Sequence, residues 1–285
     1  MKRYAAVVLR EPLWDGRGVV SPSGRYGPGC GPVMPFVLLG DSSAVTVGVS
    51  ERQDTIGAQL AGMLASRLEC AVELEVLARA GATTAALVRQ VRSVCGRTAP
   101  GVAFILIGGN DVMLPAPVNR SAARLGHYVH ELRDAGWEVV AGSCADIGAA
   151  PALRRAVAAV ASVRSRRLAR LQSAAVLAAG GRVVALETDA FRRRPAQLYC
   201  PDGFHPSPEG YRVYLRLAGS AVAGAGEAWL RRSPVERRGG MPAVGAQKGA
   251  PREAAGPAKA PALIRLRTRT LRGAPRPSGA EREPV

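Results

Sequence analysis

The chain has 285 residues, of which 47% are hydrophobic, and a formal net charge of +17. That apolar share suffices for a packed core and excludes a wholly disordered polyelectrolyte. No apolar run approaches the roughly 20 residues of a membrane-spanning helix.

The charge is unevenly placed. From Arg231 onward 13 basic residues face 4 acidic ones, a net +9, which leaves +8 on the preceding 230 residues. That tail is rich in Pro, Gly and Ala and lacks a sustained apolar period, so it is not expected to build a core. Only "ALIRLRTRTLRG" within it alternates apolar or Thr residues with Arg. Such a segment can contact anionic surfaces through charge alone; a solvated extension is the simpler reading. Aromatic-basic interleaving of the kind that stacks bases is lacking, so no specific nucleic-acid partner is expected. At the other end, "YAAVVL" after Lys2 and Arg3 is too short for a secretory core and stops at Arg10 and Glu11. A cytoplasmic protein is the expectation, with export requiring a misannotated start. The chain divides into an irregular leader over 1–34, one domain over 35–225 and a basic tail over 226–285.

Taken in order, "PFVLLG" is a continuous apolar run ending in Gly40, as expected of a strand covered on both faces. Ile56, Leu60, Met63, Leu64 and Leu68 follow at helical spacing, with Asp54 as the expected N-cap. "AVELEVLARAG" predicts a second strand, "TTAALVRQVRSV" a short helix, and "GVAFILIGGND" a third strand. An amphipathic helix over "NRSAARLGHYVHELRDAG" leads to a fourth strand, "WEVVAGSCAD". The long Ala-rich stretch 150–181 predicts a helix, "RVVALE" a fifth strand, and "PEGYRVYLRLAGSAVAGA" a last helix. This alternation predicts right-handed βαβ units, a five-stranded parallel sheet and helices on both faces. Sites in such sheets lie outside the carboxyl ends of the strands.

Those strand ends carry "GDS", "RAGATT", "GGND" and, after the fifth strand, "CPDGFHPSPEG". A serine hydroxyl needs a base to become a nucleophile. Of three histidines, His127 and His130 sit one helical turn apart with no third metal ligand in view, and read as helix-flank residues. His205 stands three residues after Asp202 in a turn-rich loop. That spacing lets a carboxylate orient the ring while the other ring nitrogen serves the serine. Donors for a developing oxyanion are at hand in the N–H groups of Ser42 and Gly81 and the side chain of Asn110. Ser43 is expected to point away from the pocket, and Asp41 to brace the turn.

The ordered set "GDSSAVTVG", "ARAGATT", "GGND" and "DGFHPSPEGY" closely resembles the SGNH hydrolase superfamily, also called GDSL-type esterases or lipases, over about residues 35–222. The first block reads Gly-Asp-Ser-Ser where Gly-Asp-Ser-Leu is frequent. The resemblance implies a three-layer α/β/α sandwich of flavodoxin-like type, with Ser42 as nucleophile, Asp202 and His205 as its partners, and Ser42, Gly81 and Asn110 as the oxyanion hole. It implies neither cofactor nor metal.

A carboxylester hydrolase acting on short acyl groups is therefore the leading expectation, its substrate a small-molecule ester or an acylated carbohydrate. The same residues would serve a carbohydrate O-deacetylase or an acyltransferase. A different class, a nonenzymatic α/β module docking through its basic tail, is disfavoured because no phosphate-binding glycine pattern follows the first strand. The five cysteines contain no CxxC pair; Cys144 and Cys200 both fall in active-edge loops, where an exported protein could join them.

Overall fold

The computed structural model describes residues 20–29 and 31–232. The stretch before residue 20, Cys30 and the basic tail from 233 onward lie outside the described residues.

Six strands form one sheet: β1 (Gly24–Tyr26), β2 (Val33–Gly40), β3 (Ala71–Val76), β4 (Val102–Leu106), β5 (Glu138–Gly142) and β6 (Arg182–Val184). Their order is β1-β3-β2-β4-β5-β6. The five expected strands are parallel throughout. The expectation of a purely parallel, five-stranded sheet is corrected by β1, which pairs antiparallel with β3, Gly24 opposite Leu74 and Tyr26 opposite Val72. Part of the leader is thus an edge strand. Its sequence, "GRY", has no apolar rhythm to announce it, and it is held through its backbone pairing with β3.

Strand alternation divides the core into two halves. Phe36, Leu38, Phe104 and Leu106 point to one face, with Leu60 and Leu64 of α2 (Ile56–Leu68) and Tyr211 and Val222 of α9 (Pro208–Arg232). Val37, Leu39, Ala103 and Ile105 point to the other, against Val91 of α3 (Val88–Cys95) and Leu125 and Val129 of α5 (Val118–Asp134). Each fully buried Leu or Phe contributes about 1.5–3 kcal/mol, so burial on both faces explains the unbroken apolar runs in β2 and β4. The remaining helices are α1 (Ser42–Val45), α4 (Gly109–Met113), α6 (Arg155–Ala178), α7 (Ala190–Arg193) and α8 (Pro195–Leu198).

Two boundaries differ from the sequence reading. Thr55, not Asp54, caps α2: its hydroxyl accepts from Ala58 N at 3.2 Å while donating to Arg52 O at 2.7 Å. Asp54 instead ends a 3-10 turn. The last helix runs on past residue 225 to Arg232. Trp229 Nε1 donates to Pro100 O at 2.9 Å, and Arg232 joins Arg133 in pairing with buried Glu138 at the start of β5. Those contacts with distant segments hold the final turns.

Candidate active site

The sheet order reverses between β2 and β4, and the sequence-predicted residues gather outside that junction. β2 ends at Gly40, whose φ is +137°; a Cβ there would lie 1.8 Å from Leu106 O. Only glycine lets β2 run this close to β4. Asp41 follows, buried, and its carboxylate caps α1 by accepting from Ser43 N at 2.9 Å. Ser42 is therefore the first residue of a helical turn, a position whose N–H has no partner within the helix. No hydrogen bond to that N–H occurs among the described residues.

Two buried glutamines hold the strand ends. β3 stops at Val76, and beyond it the chain still reaches Gly40, whose O accepts from Arg79 N at 3.0 Å while its N–H finds no backbone acceptor on that side among the described residues. Gln90 completes the ladder, its Oε1 accepting from Gly40 N at 2.7 Å and its Nε2 donating to Gly40 O at 2.9 Å. Beyond the last β4–β5 pair, Gln172 of α6 does the same: Nε2 donates to Ile107 O at 3.0 Å and Oε1 accepts from Cys144 N at 2.8 Å. Leaving such buried backbone groups unpaired costs about 1–3 kcal/mol each.

The "GGND" turn is tied to the "GATT" loop by both of its polar residues. Asn110 Nδ2 donates to Ala82 O at 2.8 Å, which leaves its second N–H free. Asp111 Oδ2 accepts from Thr84 N and Thr84 Oγ1 at 2.9 and 3.0 Å, and its Oδ1 accepts from Ser121 Oγ at 2.6 Å. Arg164 then gathers the carbonyls of Asp111, Val112, Leu114 and Ala116 at 2.7–3.1 Å, closing the end of α4.

His205 comes from the loop between α8 and α9, pinned by the Tyr199–Pro206 bridge. Its Nδ1 and Asp202 Oδ2 are 2.6 Å apart, and Asp202 Oδ1 accepts from the N–H groups of Phe204 and His205 at 2.9 and 3.0 Å. Burial works to raise the Asp202 pKa. The hydrogen bonds from the ring and both N–H groups outweigh it and hold the carboxyl below its usual range. The carboxylate therefore stays ionised beside the ring.

Ser42, His205 and Asn110 line one small cavity of about 60 Å³, together with Asp41, Ser43, Ser143, Cys144, Asp146 and an apolar wall that includes Ile147, Leu186, Tyr199, Phe204 and Tyr214. The sequence from residue 38 to 213 matches the model of the GDSL-like lipase/acylhydrolase family. The chain belongs to that family. It is 36% identical over 209 residues to a GDSL-like esterase of Mycobacterium tuberculosis, covering 68% of this chain and 66%, just under two thirds, of that relative. The fold is shared with a lipase/acylhydrolase from Enterococcus faecalis (20% identity, TM-score 0.51, 67% of this chain and 96% of that one). It is shared equally with Axe2, an acetylxylan esterase from Geobacillus stearothermophilus (19% identity, TM-score 0.52, 69% and 95%).

Within this GDSL-like domain the candidate residues are not all equally placed. Gly81, with φ +78°, sits in an exposed turn outside the cavity wall, and its N–H has no partner among the described residues. No hydrogen bond joins Ser42 to His205 among the described residues, although both line the cavity. Ser43, expected to turn away, lines it too, because α1 begins at Ser42 and strand alternation no longer applies. The disulfide considered for Cys144 and Cys200 is not formed; both are free thiols. Cys200 Sγ contacts the carbonyls of Gly48 and Pro206, and burial pushes its pKa up to about 11. His127 and His130 lie on the exposed flank of α5 beside Glu131 and Asp134, and no metal-binding group occurs among the described residues. No helix among these residues is long and apolar enough to cross a membrane.

Asp41 has a consequence for stability. Burial raises its pKa from 3.8 to about 6, against the opposing hydrogen bonds from Ser43. A carboxyl with a raised folded pKa contributes stability that is fully present below about 3.8 and is lost as pH rises through about 6. At pH 8 the buried charge costs on the order of 2–3 kcal/mol. Asp41→Asn, whose amide oxygen can still accept from Ser43 N, should therefore raise the melting temperature at pH 8 by several degrees. The gain should shrink toward zero at pH 4, as read by thermal melts at both values.

Proposed function

We propose that this GDSL-like chain is a serine carboxylester hydrolase for short acyl groups. The observation that carries the reading is the shared cavity at the sheet junction, where Ser42 meets a histidine already held by an ionised aspartate. In this reading Asp202 accepts a hydrogen bond from His205 Nδ1–H, which keeps that proton on Nδ1 and leaves Nε2 free to accept the proton of Ser42 Oγ. The oxygen attacks the ester carbonyl carbon. The resulting oxyanion accepts from Ser42 N–H and the free Asn110 N–H, both on the cavity wall, each donor worth about 10²–10³ in rate. Gly81, outside that wall, is the weakest of the three expected donors. His205 then protonates the leaving alcohol as the C–O bond breaks. A water molecule, deprotonated by His205, attacks the acyl-serine and releases the acid, and the proton returns to Ser42. Asn110 is prepared for its part by the Ala82 carbonyl, which fixes the direction of its second N–H.

The cavity volume supports a short acyl group. Hydrolysis of p-nitrophenyl acetate, butyrate and octanoate tests this: kcat/KM should be highest for acetate or butyrate and lower for octanoate by about tenfold or more, at ~1–3 kcal/mol for each methylene that does not fit. Highest turnover of octanoate contradicts the short-acyl reading. Acetate release from an acetylated oligosaccharide, run in parallel, separates a carbohydrate O-deacetylase from an enzyme of simple esters. Turnover of none of these returns the nonenzymatic module to first place.

A further inference from the structure

The floor of the cavity is polar in a way that the hydrolytic steps do not use. Tyr214, on α9, is 5% exposed and lines the cavity, yet its hydroxyl makes no hydrogen bond with any described residue. That hydroxyl lies within electrostatic reach of Asp41, Cys144 and Tyr199, which line the same cavity. Ser143, also 5% exposed and also on the wall, accepts from Leu186 N at 3.4 Å but donates its own O–H to nothing among the described residues. By contrast Tyr211, one turn earlier on α9, satisfies its hydroxyl on Val47 O at 2.9 Å. Among the described residues Trp137 Nε1 is the sole sealed side-chain polar atom without a partner, so the Tyr214 hydroxyl opens onto the cavity. Two unused donors from separate elements on one small cavity point to a ligand that completes them.

Resting on the serine-hydrolase reading above, we infer that this pocket selects short acyl groups bearing an oxygen on the chain, hydroxyacyl or oxoacyl esters, with Tyr214 and Ser143 as the specificity-determining residues. A plain alkyl chain seated there would leave both O–H donors unused and shut off from water, whereas a substrate oxygen on C2 or C3 can accept from one and, if a hydroxyl, donate in turn. Sites built to hydrogen-bond a substrate hydroxyl discriminate strongly against the analogue that lacks it. The remaining wall, Leu186 and Ile147 with the aromatic rings, suits the short carbon skeleton around that oxygen.

The test compares ethyl esters of equal chain length, propanoate against 2-hydroxypropanoate and butyrate against 3-hydroxybutyrate, by acid release at constant pH. At least one oxygen-bearing ester should exceed its alkyl counterpart in kcat/KM by about tenfold or more. Tyr214→Phe should collapse that ratio toward one, and Ser143→Ala should reduce it. Equal rates for both members of each pair overturn the inference, as does a preference that survives both substitutions. A fluorophosphonate label on the wild-type protein distinguishes the two levels of failure. Labelling without any preference removes only the acyl selectivity, whereas neither labelling nor turnover of any ester removes the hydrolase reading and this inference with it.

Discussion

Ser42→Ala is expected to lower kcat on p-nitrophenyl acetate by about 10⁴-fold or more, because loss of a nucleophile that works with its base as one unit leaves only binding and the oxyanion donors. The fold should tolerate the change. Ser42 is half-buried at the start of a short helix that Asp41 caps through Ser43 N, and neither that bond nor the Val47 N–H donation to Ser42 O uses the Ser42 side chain. Its melting temperature should stay within a few degrees of wild type, so the lost rate reads as chemistry. A variant retaining more than a few per cent of wild-type kcat would move the nucleophile elsewhere, with Ser43, on the same cavity wall, the first alternative.

The second large effect is expected for Asp202→Asn, about 10³–10⁴-fold in kcat. Oδ1 accepts two backbone N–H groups, and an asparagine would keep its carbonyl oxygen there. Its amide nitrogen would then face His205 Nδ1, 2.6 Å from the oxygen it replaces, and donate toward it. The ring would carry its proton on Nε2 and could no longer accept one from Ser42. KM should change much less than kcat, since the substituted atom faces the ring and Asp202 is not on the cavity wall. Equal loss in the two parameters, or a loss under tenfold, would show that His205 does not depend on this orientation.

How far these features could be seen in the sequence depended on how local their causes were. β2 and β4 were legible because burial on both faces forces an unbroken apolar run. The carboxyl-edge placement of Ser42, Asn110 and His205 followed from where those runs stop. The ends of elements were not legible where distant contacts decide them. β1 exists because β3 offers an unpaired edge, and α9 continues to Arg232 because Glu138 and Pro100 receive its last turns. The supports of the site were hidden for the same reason. Gln90 lies 50 residues from Gly40, and Gln172 lies 65 from Ile107. Nothing in their immediate neighbourhoods marks them as other than polar residues on helices. Asp111 had a partial signal in "GGND", but its attachment to Thr84 needed the fold. Tyr214 was indistinguishable from a core tyrosine until its hydroxyl was found without a partner. Thr55 illustrates the smallest scale: two plausible capping residues stand side by side, and the extended backbone at Thr55, with its hydroxyl bonded both ways, settles which one caps.

The central claim is that Ser42 is the nucleophile of an acyl-transfer site assembled at the β2–β4 junction. The most direct measurement is intact-mass and peptide mapping after treatment with a fluorophosphonate, a reagent that requires an activated serine. The account predicts one adduct per chain, located on Ser42, formed at a rate that drops sharply in Asp202→Asn and absent from Ser42→Ala. An adduct on any other residue, or none on a folded wild-type protein, contradicts it.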